Sequence, residues 1–238
     1  MLKRTKVTTM TARPRVAVIL DENTSGDGRR YEASKAYFRA IRDAGGLPFG
    51  IPYFPEIVEP VLTDFEAVLS CGGRFAYPDS WYLPGRTSNA PPSDRFEVER
   101  AIVTGCMERG KPILGICAGM QMIACLGGSR LTPDLHADHP HALDHDSRDT
   151  RHSVTLADGS RLRALVGASS IVVNSFHREA IAEVGGGVRA VAHASDGIIE
   201  AIEVTNHPFA IGLQWHQELL SEHEHPGNAI FRGLVNAC

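Results

Sequence analysis

Short apolar runs alternate with helix-period stretches through the first half of the chain. Residues 15–20 (RVAVIL) form an apolar, β-branched run of strand length that breaks into Asp21-Glu22-Asn23-Thr24-Ser25-Gly26-Asp27-Gly28, a turn-forming sequence. Over residues 31–44 the period changes. Ala33, Ala36, Tyr37, Ala40 and Ile41 fall at helical spacing, which predicts an amphipathic helix, and Gly45-Gly46 supplies its stop. A strand is expected at 47–51, a short helix at 55–62, and a strand at 67–69 that runs into Cys71-Gly72-Gly73. A helix over 94–109 then feeds the apolar run Lys111-Pro112-Ile113-Leu114-Gly115-Ile116, and a further helix stops at Gly127-Gly128. Such alternation implies an α/β fold: a mostly parallel sheet with helices on both faces and its ligand site at the carboxyl ends of the strands.

Beyond residue 150 the pattern becomes β-rich. Residues 153–156, 170–173, 188–193, 198–204 and 209–214 read as strands, with turns at Asp158-Gly159 and Asn206-His207-Pro208. They are expected to wrap one edge of the sheet, and residues 226–236 to form a closing helix. No internal repeat interrupts this order.

Two stretches stand outside the pattern. Residues 74–93 hold Phe75, Tyr77, Trp81 and Tyr82 among prolines and glycines, and a connection of that length is expected to be a lid. Residues 131–151 hold His136, Asp138, His139, His141, Asp144, His145 and Asp146. A solvated loop is the reading here. A metal site is the alternative, but nothing matches a fixed helical pair such as His-Glu-x-x-His, and no metal is assigned. Residues 1–13 carry Lys3, Arg4, Lys6 and Arg13 with no apolar segment, so they are read as a short disordered arm before one domain over 14–238.

Composition narrows the partners. A chain of 238 residues with 43% hydrophobic content can bury a full core. The formal charge of −4 comes with scattered basic residues, so no footprint for nucleic acid is present, and no apolar run approaches membrane-spanning length. A small-molecule substrate is expected, and a homodimer is left open. Five cysteines, an odd number without C-x-x-C spacing, argue against a disulfide framework and a cysteine zinc site, and fit a cytoplasmic protein.

The chemistry concentrates at Gly115-Ile116-Cys117-Ala118-Gly119. A buried strand ending in Gly-x-Cys-x-Gly before a helix is a nucleophile elbow, the thiol counterpart of Gly-x-Ser-x-Gly. The sulfur then faces the open N–H groups and the positive dipole end of the helix, which favours the thiolate. Gln121 lies one turn further on the same face. A cysteine nucleophile also needs a base, an orienting acceptor and N–H donors for the oxyanion. His216 and Glu218, two residues apart on one face of the last strand, suit the first two roles. The backbone N–H groups of Gly73 and Ala118 suit the third. Spacing alone does not single out His216 among eleven histidines.

Gly115-Ile116-Cys117-Ala118-Gly119-Met120-Gln121 together with Gln214-Trp215-His216-Gln217-Glu218 resembles the class I glutamine amidotransferase superfamily. Ala44-Gly45-Gly46-Leu47-Pro48, Glu108-Arg109-Gly110-Lys111-Pro112, Leu126-Gly127-Gly128-Ser129 and Val173-Asn174-Ser175-Phe176-His177 look like its γ-glutamyl-γ-aminobutyrate hydrolase branch, the peptidase C26 group. The resemblance runs from about residue 15 to the end. It implies a flavodoxin-like domain, a Cys117-His216-Glu218 triad, no cofactor, and hydrolysis of a γ-glutamyl amide through a γ-glutamyl thioester, in the manner of polyamine catabolism. Asn174, Ser175 and His177 match a family motif, which implies a place in the substrate pocket. A glutaminase subunit feeding a separate synthetase, and a catalytically silent binding protein, are the alternatives. Three departures are visible: Ala118 where the family commonly has Arg, Cys71-Gly72-Gly73-Arg74-Phe75 where it often reads Pro-Gly-Gly-Gly-Asp, and Gln217 where a proline is usual.

Overall fold

In the computed structural model, residues 12–22, 30–221 and 223–238 are described. Residues 1–11 of the expected arm and 23–28 of the first turn lie outside them. Arg13 is already anchored, donating to the carbonyls of Gly45 and Gly46 at 2.9 and 2.5 Å.

Strand β1 (Arg15–Ile19) leads to a small ladder of β2 (Asp21–Glu22) with β3 (Tyr31–Glu32). The first helix α1 (Lys35–Asp43) starts later than its apolar spacing suggests, because Ser34 caps it by accepting from the Ala36 N–H. Then come β4 (Leu47–Ile51), a 3₁₀ turn and α2 (Val58–Asp64), β5 (Ala67–Ser70), α3 (Arg95–Arg109), β6 (Ile113–Ile116) and α4 (Ala118–Leu126). Left-handed Gly110 closes α3 and turns the chain into β6.

The second half adds β7 (Arg130–Thr132), α5 (Leu135–Asp138), β8 (Arg151–Leu156), α6 (Arg161–Val166), β9 (Ser170–Asn174) and β10 (Ala180–Glu183). It ends with β11 (Val188–Ala194), β12 (Ile199–Val204), β13 (Ala210–Leu213) and α7 (Ala229–Asn236). Nine strands make one sheet in the order β4-β1-β5-β6-β13-β12-β11-β8-β9. The first five are parallel, and every pairing from β13 to β9 is antiparallel. The late strands therefore extend the sheet rather than wrap its edge. Strand β13, whose four residues are all buried, is inserted beside β6 near the middle, as a continuous apolar run demands.

Strand alternation sorts the core into two faces. Val16, Val18, Leu69, Leu114, Ile116, Ile211 and Leu213 pack under α1, α6 and α7, while Ala17, Ile19, Val68, Ile113, Ile202 and Ala210 pack under α2, α3 and α4. The parallel strands β5 and β6 end together, and the residues after them share one end of the sheet.

Residues 74–93 do not stand free over that end as a lid would, but fold against the second core. Phe75, Tyr77 and Tyr82 are buried in the second core, Tyr82 forms a bridge with Leu131, and Ala76 bonds the Pro91 carbonyl. Four aromatics in one connection lose too much apolar contact by standing in water, so the segment folds inward.

Candidate active site

Cys117 stands between β6 and α4 with φ 52 and ψ −105, a left-handed conformation rare for a residue with a side chain. Such a backbone costs about 1–3 kcal/mol and persists only where its surroundings fix it. Here the Cys117 N–H donates to Leu213 O at 2.7 Å, and the Cys117 carbonyl accepts from the Gln121 N–H. The flanking glycines have a steric cause. A Cβ on Gly119 would lie 2.3 Å from Ser70 Oγ, and one on Gly115 would lie 2.5 Å from the Gly119 backbone. The elbow expected from the sequence is therefore present, with α4 beginning at Ala118.

His216 and Glu218 meet, though not through strand periodicity. Strand β13 ends at Leu213, and Glu218 lies in a 3₁₀ turn, Gln217–Leu220, that begins directly after His216. That turn brings Glu218 Oε1 to 2.7 Å from His216 Nδ1. Nδ1 thus carries the proton toward the carboxylate, and Nε2, without a hydrogen-bond partner among the described residues, is the free nitrogen. Burial pulls the imidazole pKa down, but the Glu218 charge and the Cys117 thiol outweigh it and hold the group well above the ordinary histidine range. Gly72 marks where thiol and ring converge: a Cβ there would lie 2.7 Å from His216 Cε1 and 3.5 Å from Cys117 Cβ.

A cavity of about 820 Å³ opens over these groups, lined by Gly73, Cys117, Ala118, Gln121, Asn174, Ser175, His177, His216 and Glu218 among others. The sequence-selected residues therefore all meet at one site. Neither the Gly73 nor the Ala118 N–H has a protein acceptor among the described residues, as an oxyanion site requires. Trp81 and Tyr82 of the expected lid do not line the cavity, whereas Phe75, Tyr77, Asn89, Ala90 and Pro91 of the same segment do.

Several lining side chains are already committed to protein partners. Gln121 Nε2 donates to Glu179 O at 3.0 Å and Gln214 Oε1 at 3.2 Å. Asn174 Oδ1 accepts from the His216 N–H and Asn174 Nδ2 donates to His216 O, both at 2.8 Å. Its amide is thereby spent on the backbone of His216.

Ser175 and His177 belong to a buried polar network that the sequence did not reveal. Ser175 Oγ donates to His145 O at 3.2 Å and lies 3.0 Å from His145 Nδ1, and His145 Nε2 lies 2.9 Å from Asp196 Oδ2. Glu200, fully buried, stands 3.3, 3.6 and 3.5 Å from ring nitrogens of His145, His152 and His177. Burial lowers the His145 pKa, but the Glu200 and Asp196 carboxylates outweigh it and raise it; burial raises that of Glu200, but the adjacent His145 and His177 rings outweigh it and lower it. His145, His177 and Glu200 are close enough to converge on a cation. Both His145 nitrogens are already engaged by Ser175 and Asp196, whereas His177 Nε2 and both Glu200 oxygens have no hydrogen-bond partner among the described residues. The solvated reading of residues 131–151 holds for His136, His139 and His141, which are exposed, and fails at His145, which is buried. Its neighbours in sequence gave no sign of that burial.

Two of the three departures have local explanations. Gln217, fully buried, accepts from Trp215 Nε1 at 2.9 Å and donates to Asn228 Oδ1 at 3.1 Å, tying the turn to the segment before α7. Ala118 packs in the second core, and its carbonyl accepts from Tyr77 Oη at 2.8 Å.

Comparison with known proteins agrees with this architecture. The peptidase C26 family model matches residues 15–218. The γ-glutamyl-γ-aminobutyrate hydrolase of Escherichia coli K12 is 30% identical over 94% of this chain and 93% of its own. Protein NtpR of Enterococcus hirae is 26% identical over 85% of this chain and 86% of its own. Among solved structures, a Thermoplasma acidophilum protein described provisionally as one of the subunits of GMP synthase superposes with a TM-score of 0.66 at 17% identity, covering 96% of this chain and 95% of that one, a likeness of fold.

Proposed function

The chain belongs to the peptidase C26 family, and from that premise we propose that residues 14–238 form a cytoplasmic hydrolase of γ-glutamyl amides, with γ-glutamyl-γ-aminobutyrate the leading substrate. One observation carries the reading: a strained cysteine, a carboxylate-oriented histidine and two residues whose backbone N–H groups have no protein acceptor among the described residues line one cavity. Cys117 Sγ, its proton passed to His216 Nε2, attacks the γ-carbonyl, and the oxyanion forms against the N–H groups of Gly73 and Ala118. His216 Nε2 gives its proton to the leaving amine, the C–N bond breaks, and a γ-glutamyl thioester remains. His216 then takes a proton from water, which attacks the thioester and releases glutamate.

The cavity rim suits an amine half that ends in a carboxylate. Arg148 stacks 4.5 Å over the Phe176 ring, whose centroid is 6.4 Å from that of His216, and Arg151 lines the same wall. Neither guanidinium pairs with an acidic side chain among the described residues.

Steady-state kcat/KM of the protein alone, for γ-glutamyl-γ-aminobutyrate, γ-glutamyl-putrescine and glutamine, tests the proposal. The anionic amide is expected to be cleaved best, and Arg148→Ala to raise its KM with little effect on glutamine. Turnover of glutamine alone, or only with an added synthetase, would overturn it.

A further inference from the structure

Arg95 takes no place in the chemistry above, yet it is fully buried on α3 with every donor used. Its Nε donates to Glu99 Oε2 at 2.6 Å; Nη2 donates to Glu99 Oε1 at 2.8 Å and Cys71 O at 2.7 Å; Nη1 donates to Gly72 O and Asp21 Oδ1, both at 3.1 Å. Five N–H groups meet five acceptors, which is the full capacity of a guanidinium. Two of those acceptors are carbonyls of the loop that carries Gly73. Ser70 Oγ donates to Glu99 as well, so the carboxylate that orients Arg95 is itself fixed.

A trans peptide points its N–H opposite to its C=O. With the Cys71 carbonyl turned to Arg95, the Gly72 N–H faces the other way, where Tyr37 Oη accepts it at 3.0 Å. With the Gly72 carbonyl also turned to Arg95, the Gly73 N–H is directed away from the guanidinium, toward the cavity that Gly73 and Cys117 line. The approach is tight: a Cβ on Gly73 would lie 2.6 Å from Arg95 Nη1 and 2.8 Å from Asp21 Oδ1. Without the guanidinium, both carbonyls would be buried orphans and the peptide would be free to rotate its N–H out of the site.

We propose that Arg95 is a positioning residue that sets the oxyanion hole by holding the Cys71 and Gly72 carbonyls, so that the Gly73 N–H meets the developing oxyanion on Cys117. The inference rests on the thioester reading given above. Acylation needs the oxyanion hole, because the carbonyl oxygen gains charge as Sγ–C bonding begins. Alkylation of the same sulfur by iodoacetamide displaces iodide and forms no oxyanion.

The test compares the two reactions in wild type and Arg95→Lys. Acylation is followed as p-nitroaniline released in a single turnover of γ-glutamyl-p-nitroanilide, and alkylation as the rate of Cys117 loss to iodoacetamide. Acylation is expected to fall about 10²–10³-fold, the usual cost of one oxyanion donor, while alkylation proceeds at nearly the wild-type rate. Should Arg95→Lys not fold, Glu99→Gln, buried and outside the cavity lining, is expected to show the same split with smaller size. Parallel loss of both rates would reduce Arg95 to a structural residue, and unchanged acylation would remove it from the mechanism. A wild type that reacts with iodoacetamide but releases no p-nitroaniline would overturn the amide-hydrolase reading, and this assignment with it.

Discussion

Asn174 holds His216 by both backbone groups, accepting from its N–H and donating to its carbonyl at 2.8 Å each. The two residues lie forty-two positions apart, on β9 and just beyond β13, so the side chain splices the antiparallel wing of the sheet to the candidate base. Asn174→Ala is expected to lower kcat about 10–100-fold with little change in KM, since a small displacement of the base costs reaction geometry rather than binding. A rise in KM at constant kcat would make Asn174 a substrate contact.

Cys117 is expected to be the thiol that reacts. Cys71, Cys106 and Cys125 are buried, and burial pushes their thiols up, that of Cys106 to about 12; Cys238, although exposed, is raised as well. Limiting iodoacetamide should therefore modify Cys117 and abolish turnover, with peptide mapping as the readout. Cys117→Ala should fold and be inactive. Retained turnover in that variant would end the covalent mechanism.

The pH profile should expose the Glu218 contact. His216 must be protonated to release the amine, and its pKa is raised, so kcat/KM is expected to hold through neutrality and fall as pH rises through that value. Glu218→Gln removes the carboxylate charge that raises it, so the basic limb should move to lower pH. The limb reports the coupled Cys117–His216 pair, and an unmoved limb would show that Glu218 does not act on it electrostatically.

The Glu200 network should show in stability. The folded-state pKa of Glu200 is lowered, so its contribution is present above the ordinary carboxylate range and lost as pH falls through the folded value. That of His145 is raised, so its contribution is complete below the ordinary imidazole value and lost as pH rises through the folded one. The two overlap in mildly acidic solution. There Glu200→Gln should cost about 3–5 kcal/mol by urea unfolding, as for a broken buried pair, and less in alkaline solution. A cost independent of pH would assign Glu200 to packing alone.

The parallel half of the fold was legible because each strand and helix there satisfies its own local rule: an apolar run of strand length, a helical period, a glycine stop. The elbow was legible for a related reason, since a thiol at a strand tip between two glycines is marked by five consecutive residues, although Ser70 on β5 supplies part of the steric cause. Arg95 was within reach too. It recurs with Val98, Glu99, Ile102 and Cys106 on the buried stripe of α3, and a charged pair at inward positions is a readable anomaly. What only the tertiary structure decided depends on contacts between residues far apart in the chain. Strand β13 enters the middle of the sheet, the aromatic loop folds inward, His145 leaves its exposed neighbours for Glu200, and Asn174 closes on His216. No local period encodes these pairings, because each is fixed by the requirement that a buried polar or apolar group find its partner, and the chain supplies that partner dozens of residues away.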